Sequence, residues 1–362
     1  MKFTIQALPV SFSALGRQVE MTATPADIAA LGPWLEAHVP GLGQCRGFEK
    51  FGDGQSNPTY RVDASGGTFV LRAQPPGQLL PGAHRVDREA RIIGGLHDTP
   101  VPVPRILAQS DADGPLGRMF VVMSHVAGQI YWDPALPGMA PDDRRAIYAA
   151  MNQVLADLHD VEPEAAGLAD FGRKGDYFQR QLATWTRQYR ASETDGIAEM
   201  DQLISWLDGN LPEDDGRSGL VHGDFRMDNM IFDPQSHRVA AVLDWELSTI
   251  GHPFADLAYQ CMQWRLPNEG AFKGLGGVDR AATGIPDEAD YVAQYCTRRG
   301  LPGIENWRFY IAFSFFRLGA ILQGVYRRSL EGNASNTQTA HLYGKAVPIL
   351  AEMAMAEVRE AP

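Results

Sequence analysis

The spacing of apolar residues changes within the first part of the chain. In residues 24–39, Ile28, Leu31 and Leu35 recur at intervals of three and four, the period of one helix face. Residues 47–72 instead contain three short β-prone runs, GFEKF, TYRVDA and TFVLRA, separated by the turn-rich segments GDGQSNP and SGG. Alternating runs and turns of this kind are typical of hairpins. The pattern predicts a helix followed by three antiparallel strands.

A second helix and two more strands extend this sheet-forming part. In residues 84–96, Val86, Glu89 and Ile93 share one helical face, which we expect to pack on the sheet. Asp87 and Arg91 stand four residues apart and are predicted to form an outward surface pair. Two further β-prone runs follow, at 105–108 and 118–123.

Beyond Gly128 the helical period dominates. It recurs in stretches at 144–159, 177–189, 197–211, 253–264, 287–299, 307–325 and 337–359, interrupted by the short β-prone pieces GLVHG, NMIF and VAAVLDW. We therefore predict an α+β fold of two lobes, a small antiparallel-sheet lobe and a larger helical lobe, with a ligand cleft between them. The predicted divisions are an extension at 1–23, the sheet lobe at 24–124 and the helical lobe at 125–362.

Composition excludes some classes of function. The 362 residues carry 32 Lys and Arg against 44 Asp and Glu, a net charge of −12 at pH 7. General nucleic-acid binding calls for a positive surplus, so no nucleic-acid partner is expected. Cys45, Cys261 and Cys296 show no metal or disulfide spacing. The most apolar stretch, 307–325, is broken by charges, so no membrane span is expected, and without a secretory signal we expect a cytoplasmic protein.

The strongest chemical signal is the segment VHGDFRMDNMIF, followed by VLDWE. His222, Asp224 and Asn229 form an H-x-D-x-x-x-x-N pattern between two short apolar runs, and Asp244 follows the next run. Phosphoryl transfer needs a carboxylate that deprotonates the attacking hydroxyl, a role that suits Asp224. It also needs oxygen ligands for Mg²⁺, which Asn229 and Asp244 can supply. The alternative is a set of structural Asp and Asn caps in turns.

This pattern resembles that of the aminoglycoside phosphotransferase-like family, a branch of the protein-kinase-like fold that includes choline, homoserine and fructosamine kinases. The resemblance covers about residues 45–325. It implies an ATP- or GTP-dependent kinase that uses Mg²⁺ to phosphorylate a hydroxyl of a small-molecule acceptor. The segments LRAQPPGQLLPGAH and AFSFFRLGAILQG resemble the branch fused to some acyl-CoA dehydrogenases. That branch points to a hydroxylated acyl acceptor, which we favour over an aminoglycoside; the oligomeric state is left open.

The resemblance also implies a phosphate-covering turn in FGDGQSNPTY. There Gly54, Ser56 and Asn57 match small residues whose backbone N–H groups approach the nucleotide. A full G-x-G-x-x-G match fails because Asn57 occupies the third glycine position. An ordinary hairpin turn is the alternative.

Arg72 occupies the strand position at which a kinase presents Lys to the nucleotide phosphates. Glu89 is its predicted partner, since it lies on the sheet-facing stripe of its helix. Arg keeps the positive charge of Lys but has a planar guanidinium group, so contact of Arg72 with a nucleotide phosphate is left open. The alternative is that Arg72 is an exposed residue at the end of its strand. The resemblance places the adenine-binding hinge at Ser124 and Val126, and makes Asp256 a structural brace of the catalytic turn.

Arg317 lies in the apolar run FYIAFSFFRLGAILQG. A buried guanidinium is unfavourable unless an anion pairs with it. The anion is either an internal carboxylate or a carboxylate or phosphate of the substrate. Gln260, with Tyr259 and Trp264 on the preceding helix, is a candidate for the same acceptor pocket, although helical aromatics are more often core.

Two rival functions remain open. A metallophosphoesterase is suggested by Asp157-x-His159 and by Gly223-Asp224, but its other metal-binding segments are absent from the sequence and Asp157 and His159 fall inside a helical pattern. A non-catalytic kinase-like protein that binds nucleotide or acyl ligand is the other rival, with the Arg72 substitution in its favour.

Overall fold

A five-stranded antiparallel sheet forms the smaller lobe in the computed structural model, which describes residues 25–51, 57–77, 84–269, 273–331 and 337–359. The strand order is β1-β2-β3-β5-β4. The strands are β1 (Cys45–Lys50), β2 (Thr59–Ala64), β3 (Gly67–Ala73), β4 (Ile106–Ser110) and β5 (Phe120–Ser124). Each predicted strand is therefore present, and the antiparallel register of β2 on β3 runs from Thr59↔Arg72 to Ala64↔Gly67.

Two helices cover this sheet. Helix α1 (Pro25–His38) buries Leu31 and Leu35 in a small apolar core that includes Val62 of β2. Helix α2 (Val86–Leu96) buries Val86 and Glu89 with Ile93, as its period predicts. A carboxylate is thus carried into the interior by an otherwise apolar helix face.

The larger lobe is built from eight α-helices among the described residues, with two small two-stranded sheets. The helices are α3 (Pro141–Asp160), α4 (Tyr177–Ser192), α5 (Ala198–Gly209), α6 (Phe254–Cys261), α7 (Arg280–Thr283), α8 (Glu288–Arg298), α9 (Trp307–Leu330) and α10 (Thr337–Arg359). The short strands are β6 (Gly219–Val221), β7 (Met230–Phe232), β8 (Val239–Val242) and β9 (Thr249–Gly251), which pair as β6 with β9 and β7 with β8. Strand β9 and helix α7 were not predicted, because elements of three and four residues are too short to show a hydrophobic period.

Helix α9 lies at the centre of the helical lobe. By length and composition it is the one helix in the described part of the chain that is apolar enough to cross a membrane, and 72% of its apolar window is buried inside the protein. Burial of that extent is expected of a core helix, and it is why Phe315 and Phe316 are fully enclosed.

The predicted two-lobed α+β fold is confirmed by this architecture. The sheet lobe has its own apolar core with α1, and the core of the helical lobe also includes Ile92, Ile93 and Leu96 of α2. The division after residue 124 remains a prediction, and the predicted extension at 1–23 lies outside the described residues.

Candidate active site

The turn between β6 and β7 carries the predicted catalytic residues. Gly223 has a φ of 85°, and a Cβ there would lie 2.6 Å from the Leu247 carbonyl oxygen, so only glycine fits. His222 is buried; its Nε2 donates to the Leu243 carbonyl at 2.8 Å, and its Nδ1 accepts the Asp224 backbone N–H at 3.1 Å. Both ring nitrogens of His222 are engaged within the turn, which supports a structural role for this residue.

Asp256, on α6, holds this turn from below. Its carboxylate accepts the backbone N–H groups of His222 and Gly223, the latter at 2.8 Å. His159 Nε2 lies 3.5 Å from the same carboxylate. Burial alone raises the pKa of Asp256, but His159 and the backbone donors outweigh it and hold the pKa below its usual value. The ionised carboxylate therefore fixes the turn through two main-chain donors.

Asp224 combines an ionised carboxylate with access from outside. One of its oxygens accepts Asn229 Nδ2 at 2.9 Å, and Arg226 Nε lies 3.2 Å from the other. The Tyr259 hydroxyl also helps to lower the pKa of this carboxylate. Burial raises the pKa of Asp224, yet Arg226 and these hydrogen bonds outweigh burial and lower the pKa overall. With 21% of its side chain exposed, the carboxylate is charged at neutral pH and reachable by a hydroxyl group.

Asn229 and Asp244 flank one hairpin. Strand β7 begins one residue after Asn229, and the register Met230↔Val242 brings the end of β8, with Asp244 two residues beyond, to the same end. The Asn229 amide nitrogen donates to both the backbone carbonyl and the carboxylate of Asp224, so its amide oxygen is the atom left for other ligands. One amide oxygen and one carboxylate suit Mg²⁺, which completes its coordination with phosphate and water. In the described ranges no group of three or more His, Cys, Asp or Glu side chains is arranged to hold a metal alone.

Arg72 joins the two lobes at this point. Its Nε lies 2.7 Å from Glu89 Oε2, and its Nη2 lies 2.8 Å from Asp244 Oδ1 and 3.9 Å from a Glu246 oxygen. The predicted pair of Arg72 with Glu89 is thus present, whereas the phosphate contact remains a prediction. Burial raises the pKa of Glu89 to about 7 against the opposing effect of Arg72, and the charges of Asp244 and Glu246 raise it further.

Asn57 supports this cluster with its side chain. It is buried, its Nδ2 donates to Glu89 Oε1 at 2.7 Å, and its Oδ1 lies 3.0 Å from His84 Nδ1. The side chain therefore orients Glu89, and a phosphate contact from this turn stays a prediction. Gly54 and Ser56 lie outside the described residues.

The outward pair predicted on α2 is wrong. Asp87 pairs with Arg85, and Arg91 pairs with Asp170 of the helical lobe. The outward face of α2 is in fact its docking face, so Arg91 finds a partner from across the lobe boundary.

The predicted hinge lies at the end of β5. The Ser124 backbone N–H donates to the Arg105 carbonyl at 2.9 Å, and the Ser124 hydroxyl accepts the Arg105 N–H at 2.9 Å. These bonds fix the strand that leads into Val126. Adenine binding by Ser124 and Val126 stays a prediction.

The two acceptor-site candidates lie in different surroundings. Arg317 is buried between aromatic rings, with its guanidinium carbon 5.6 Å from the Trp185 ring centroid and 5.3 Å from that of Tyr259. Gln260 is also buried, but its amide nitrogen lies 4.0 Å from Met151 Sδ, inside the helical core. Contact of Gln260 with a substrate stays a prediction that this placement does not support.

Arg226 and Asp228 belong to the site although the sequence analysis did not single them out. Arg226 Nη2 lies 2.9 Å from Asp228 Oδ2 while its Nε faces Asp224. Burial raises the pKa of Asp228, with Arg226 acting against it. Their position inside the H-x-D-x-x-x-x-N segment is the sequence signal that could have identified them as site residues.

The two residues that suggested a metallophosphoesterase do not assemble as metal ligands. Asp157 accepts Gln153 Nε2 on α3, at 2.8 Å. His159 is buried with its Nδ1 2.7 Å from the Tyr295 hydroxyl. They face different surroundings, as expected for positions two apart on a helix.

Comparison with known proteins agrees with this geometry. The model of the Phosphotransferase enzyme family matches residues 47–310, and the chain belongs to that family. A solved chain from Ralstonia eutropha, whose proposed class is aminoglycoside phosphotransferase, is 45% identical with a TM-score of 0.84, covering 93% of this chain and 99% of that one. Spectinomycin phosphotransferase, solved with ADP and spectinomycin, shares the fold at a TM-score of 0.60 and 12% identity, over 92% of this chain and 98% of that chain.

Relatives of known sequence place the chain in one branch of the family. Acyl-CoA dehydrogenase family member 10 of Mus musculus is 50% identical over 84% of this chain and 28% of the relative. Family member 11 of Rattus norvegicus is 42% identical over 90% of this chain and 42% of the relative. The chain therefore spans less than half the length of these curated relatives, and the resemblance to the branch fused to acyl-CoA dehydrogenases is confirmed.

Proposed function

We propose that this protein is a small-molecule kinase that transfers the γ-phosphate of ATP, or of GTP, to a hydroxyl group. The observation that carries the proposal is the convergence of Asp224, Asn229 and Asp244 on one turn and one hairpin end, with Arg72 reaching Asp244 from the sheet lobe. A charged carboxylate, oxygen ligands and a cation are the parts that phosphoryl transfer requires.

Each residue has a separate task in this account. Asp224 accepts the proton of the acceptor hydroxyl, since its lowered pKa keeps it ionised at neutral pH. Asn229 and Asp244 would hold Mg²⁺, which when bound neutralises the phosphate charge and orients the phosphates. Arg72, held by Glu89, lies where it can exchange Asp244 for a nucleotide phosphate. ADP in the related spectinomycin enzyme supports nucleotide binding in this fold.

For the acceptor we propose a small hydroxylated acyl compound rather than an aminoglycoside. Support comes from the relatives named as acyl-CoA dehydrogenase family members, of which this chain covers 28% and 42%. The spectinomycin enzyme shows that an aminoglycoside-like acceptor also fits this fold. A cytoplasmic location, with no nucleic-acid or membrane partner, completes the proposal.

Isothermal titration with ATP tests the metal and nucleotide assignment. We expect wild-type protein to bind ATP with Mg²⁺ or Mn²⁺ and to lose this metal dependence in Asp244→Ala, because one of two proposed protein ligands is removed. Asp208→Ala, at an exposed position on α5, is the matched control. Unchanged affinity for MgATP in Asp244→Ala contradicts the assignment, and metal-dependent binding without turnover of any acceptor favours the non-catalytic binder.

A further inference from the structure

Arg317 is a buried cation with no charged partner among the residues that the structure describes. Only 7% of its surface is exposed, and no Asp or Glu carboxylate in the described ranges forms an ion pair with it. It also makes no hydrogen bond to the described residues, so its five N–H donors are unused there. The internal carboxylate considered from the sequence is therefore not found among them.

Aromatic rings supply part of what a counter-ion would. The guanidinium carbon lies 5.6 Å from the Trp185 ring centroid and 5.3 Å from the Tyr259 ring centroid. Such contacts stabilise the charge through the ring faces but leave the planar N–H fork without acceptors. A buried guanidinium group whose N–H donors have no acceptors among the described residues is suited to bind a carboxylate or a phosphate.

The position of Arg317 relative to the reaction centre follows from Tyr259. The Tyr259 ring contacts Arg317, and the same helix carries Asp256, whose carboxylate accepts the backbone N–H groups of His222 and Gly223 next to Asp224. Helix α6 therefore places Arg317 close to the turn that carries Asp224. Trp185, Tyr259 and Arg317 come from α4, α6 and α9, all in the helical lobe. The candidate phosphate-binding residue Arg72 comes from the sheet lobe and pairs with Asp244.

We infer that Arg317 is an oxyanion-binding residue of the acceptor site and selects acceptors that carry a negative charge near the reacting hydroxyl. This inference rests on the proposed kinase function and deepens it. The hydroxyl lies at Asp224, the anion pairs with Arg317, and the faces of Trp185 and Tyr259 cover the short apolar segment between them. A polycationic acceptor such as an aminoglycoside is excluded by the same charge, because like charges repel in a buried site.

Thermal unfolding in the presence of defined anions tests the inference. The probes are sodium sulfate, the isomers of hydroxybutyrate, glycerol phosphate and the uncharged methyl esters of the hydroxybutyrates, all at matched ionic strength. The variants are Arg317→Met, Arg317→Lys and, as a matched control on the same helix, Arg328→Met at an exposed position.

We expect anionic probes to raise the unfolding midpoint of wild-type and Arg328→Met protein with saturation, whereas the esters do not. Arg317→Met should bind the effective probe about tenfold more weakly or worse, since a charge-assisted hydrogen bond is lost. Arg317→Lys should retain part of the affinity because it keeps the charge. A stronger effect of hydroxybutyrate than of glycerol phosphate identifies a carboxylate as the anion, and the reverse identifies a phosphate.

Three results overturn the inference. The first is equal stabilisation of wild-type and Arg317→Met protein by the anions, or none in either. The second is a fall of many degrees in the unliganded midpoint of both Arg317 variants, which marks a structural role. The third is loss of MgATP affinity in Arg317→Met, which assigns the anion to the nucleotide. Failure of the kinase proposal is distinguishable, because it shows as absent metal-dependent ATP binding in wild-type protein.

Discussion

At the scale of single residues, the balance between burial and charge pairing sets the pKa of each enclosed carboxyl group. Asp224 and Glu89 are both partly or fully enclosed, and each lies beside an Arg. For Asp224 the attraction to Arg226 outweighs burial and the pKa falls, whereas for Glu89 burial wins and the pKa rises to about 7. Of these two carboxyl groups, only Asp224 is thus fully ionised at neutral pH.

The raised pKa of Glu89 predicts a pH dependence of stability. A carboxyl with a pKa of about 7 when folded and 4.5 when unfolded binds more protons in the folded state between these values. Its contribution to stability is therefore present below pH 4.5 and is lost as the pH rises through 7. The wild-type free energy of unfolding, relative to Glu89→Gln, should fall by about 1–3 kcal/mol across that window.

Urea unfolding of both proteins at several pH values between 4.5 and 8 measures this difference. Glu36→Gln on α1 is a control, since the exposed side chain of Glu36 lies outside the Arg72 cluster. A difference that is flat, or that grows with pH, contradicts the raised pKa.

At the scale of elements, the short turn that carries Asp224 depends on a helix distant in sequence. Asp256 on α6 accepts two backbone N–H groups of that turn, so the position of the catalytic carboxylate is fixed from beneath. The motif could be predicted because it is continuous in sequence. The burial of Arg317 could also be predicted, but the lack of a carboxylate partner among the described residues could not, because its surroundings come from three helices whose packing no local pattern specifies.

Asp256→Asn tests this bracing. The amide can accept one of the two backbone N–H groups but presents its own NH₂ to the other, which leaves a buried donor unsatisfied. We expect a loss of about 1–3 kcal/mol in the free energy of unfolding. Urea denaturation measures it, with the exposed Asp208→Asn as the control. Stability equal to that of wild-type protein would show that the turn holds its shape without Asp256.

At the scale of the whole molecule, the sequence predicted two lobes, and the contacts between them had to come from the structure. Arg72 crosses to Asp244, and Arg91 crosses to Asp170 where a surface pair was expected. Helical spacing shows which residues share a face but not what the face meets. Helix α2 was therefore predicted correctly, whereas the Asp87–Arg91 pair on it was not. Gly54 and Ser56 remain predictions from resemblance.

The central claim is that the two lobes together carry out phosphoryl transfer with Asp224 as the base. The most direct measurement follows ADP formation from MgATP with a panel of hydroxylated acyl acceptors, in wild-type and Asp224→Asn protein, with MgATP affinity measured in parallel. We predict acceptor-dependent ADP formation that falls by about 10²-fold or more in Asp224→Asn, while MgATP binding is retained. Undiminished acceptor-dependent turnover in Asp224→Asn would contradict the account and leave Asp224 a structural residue.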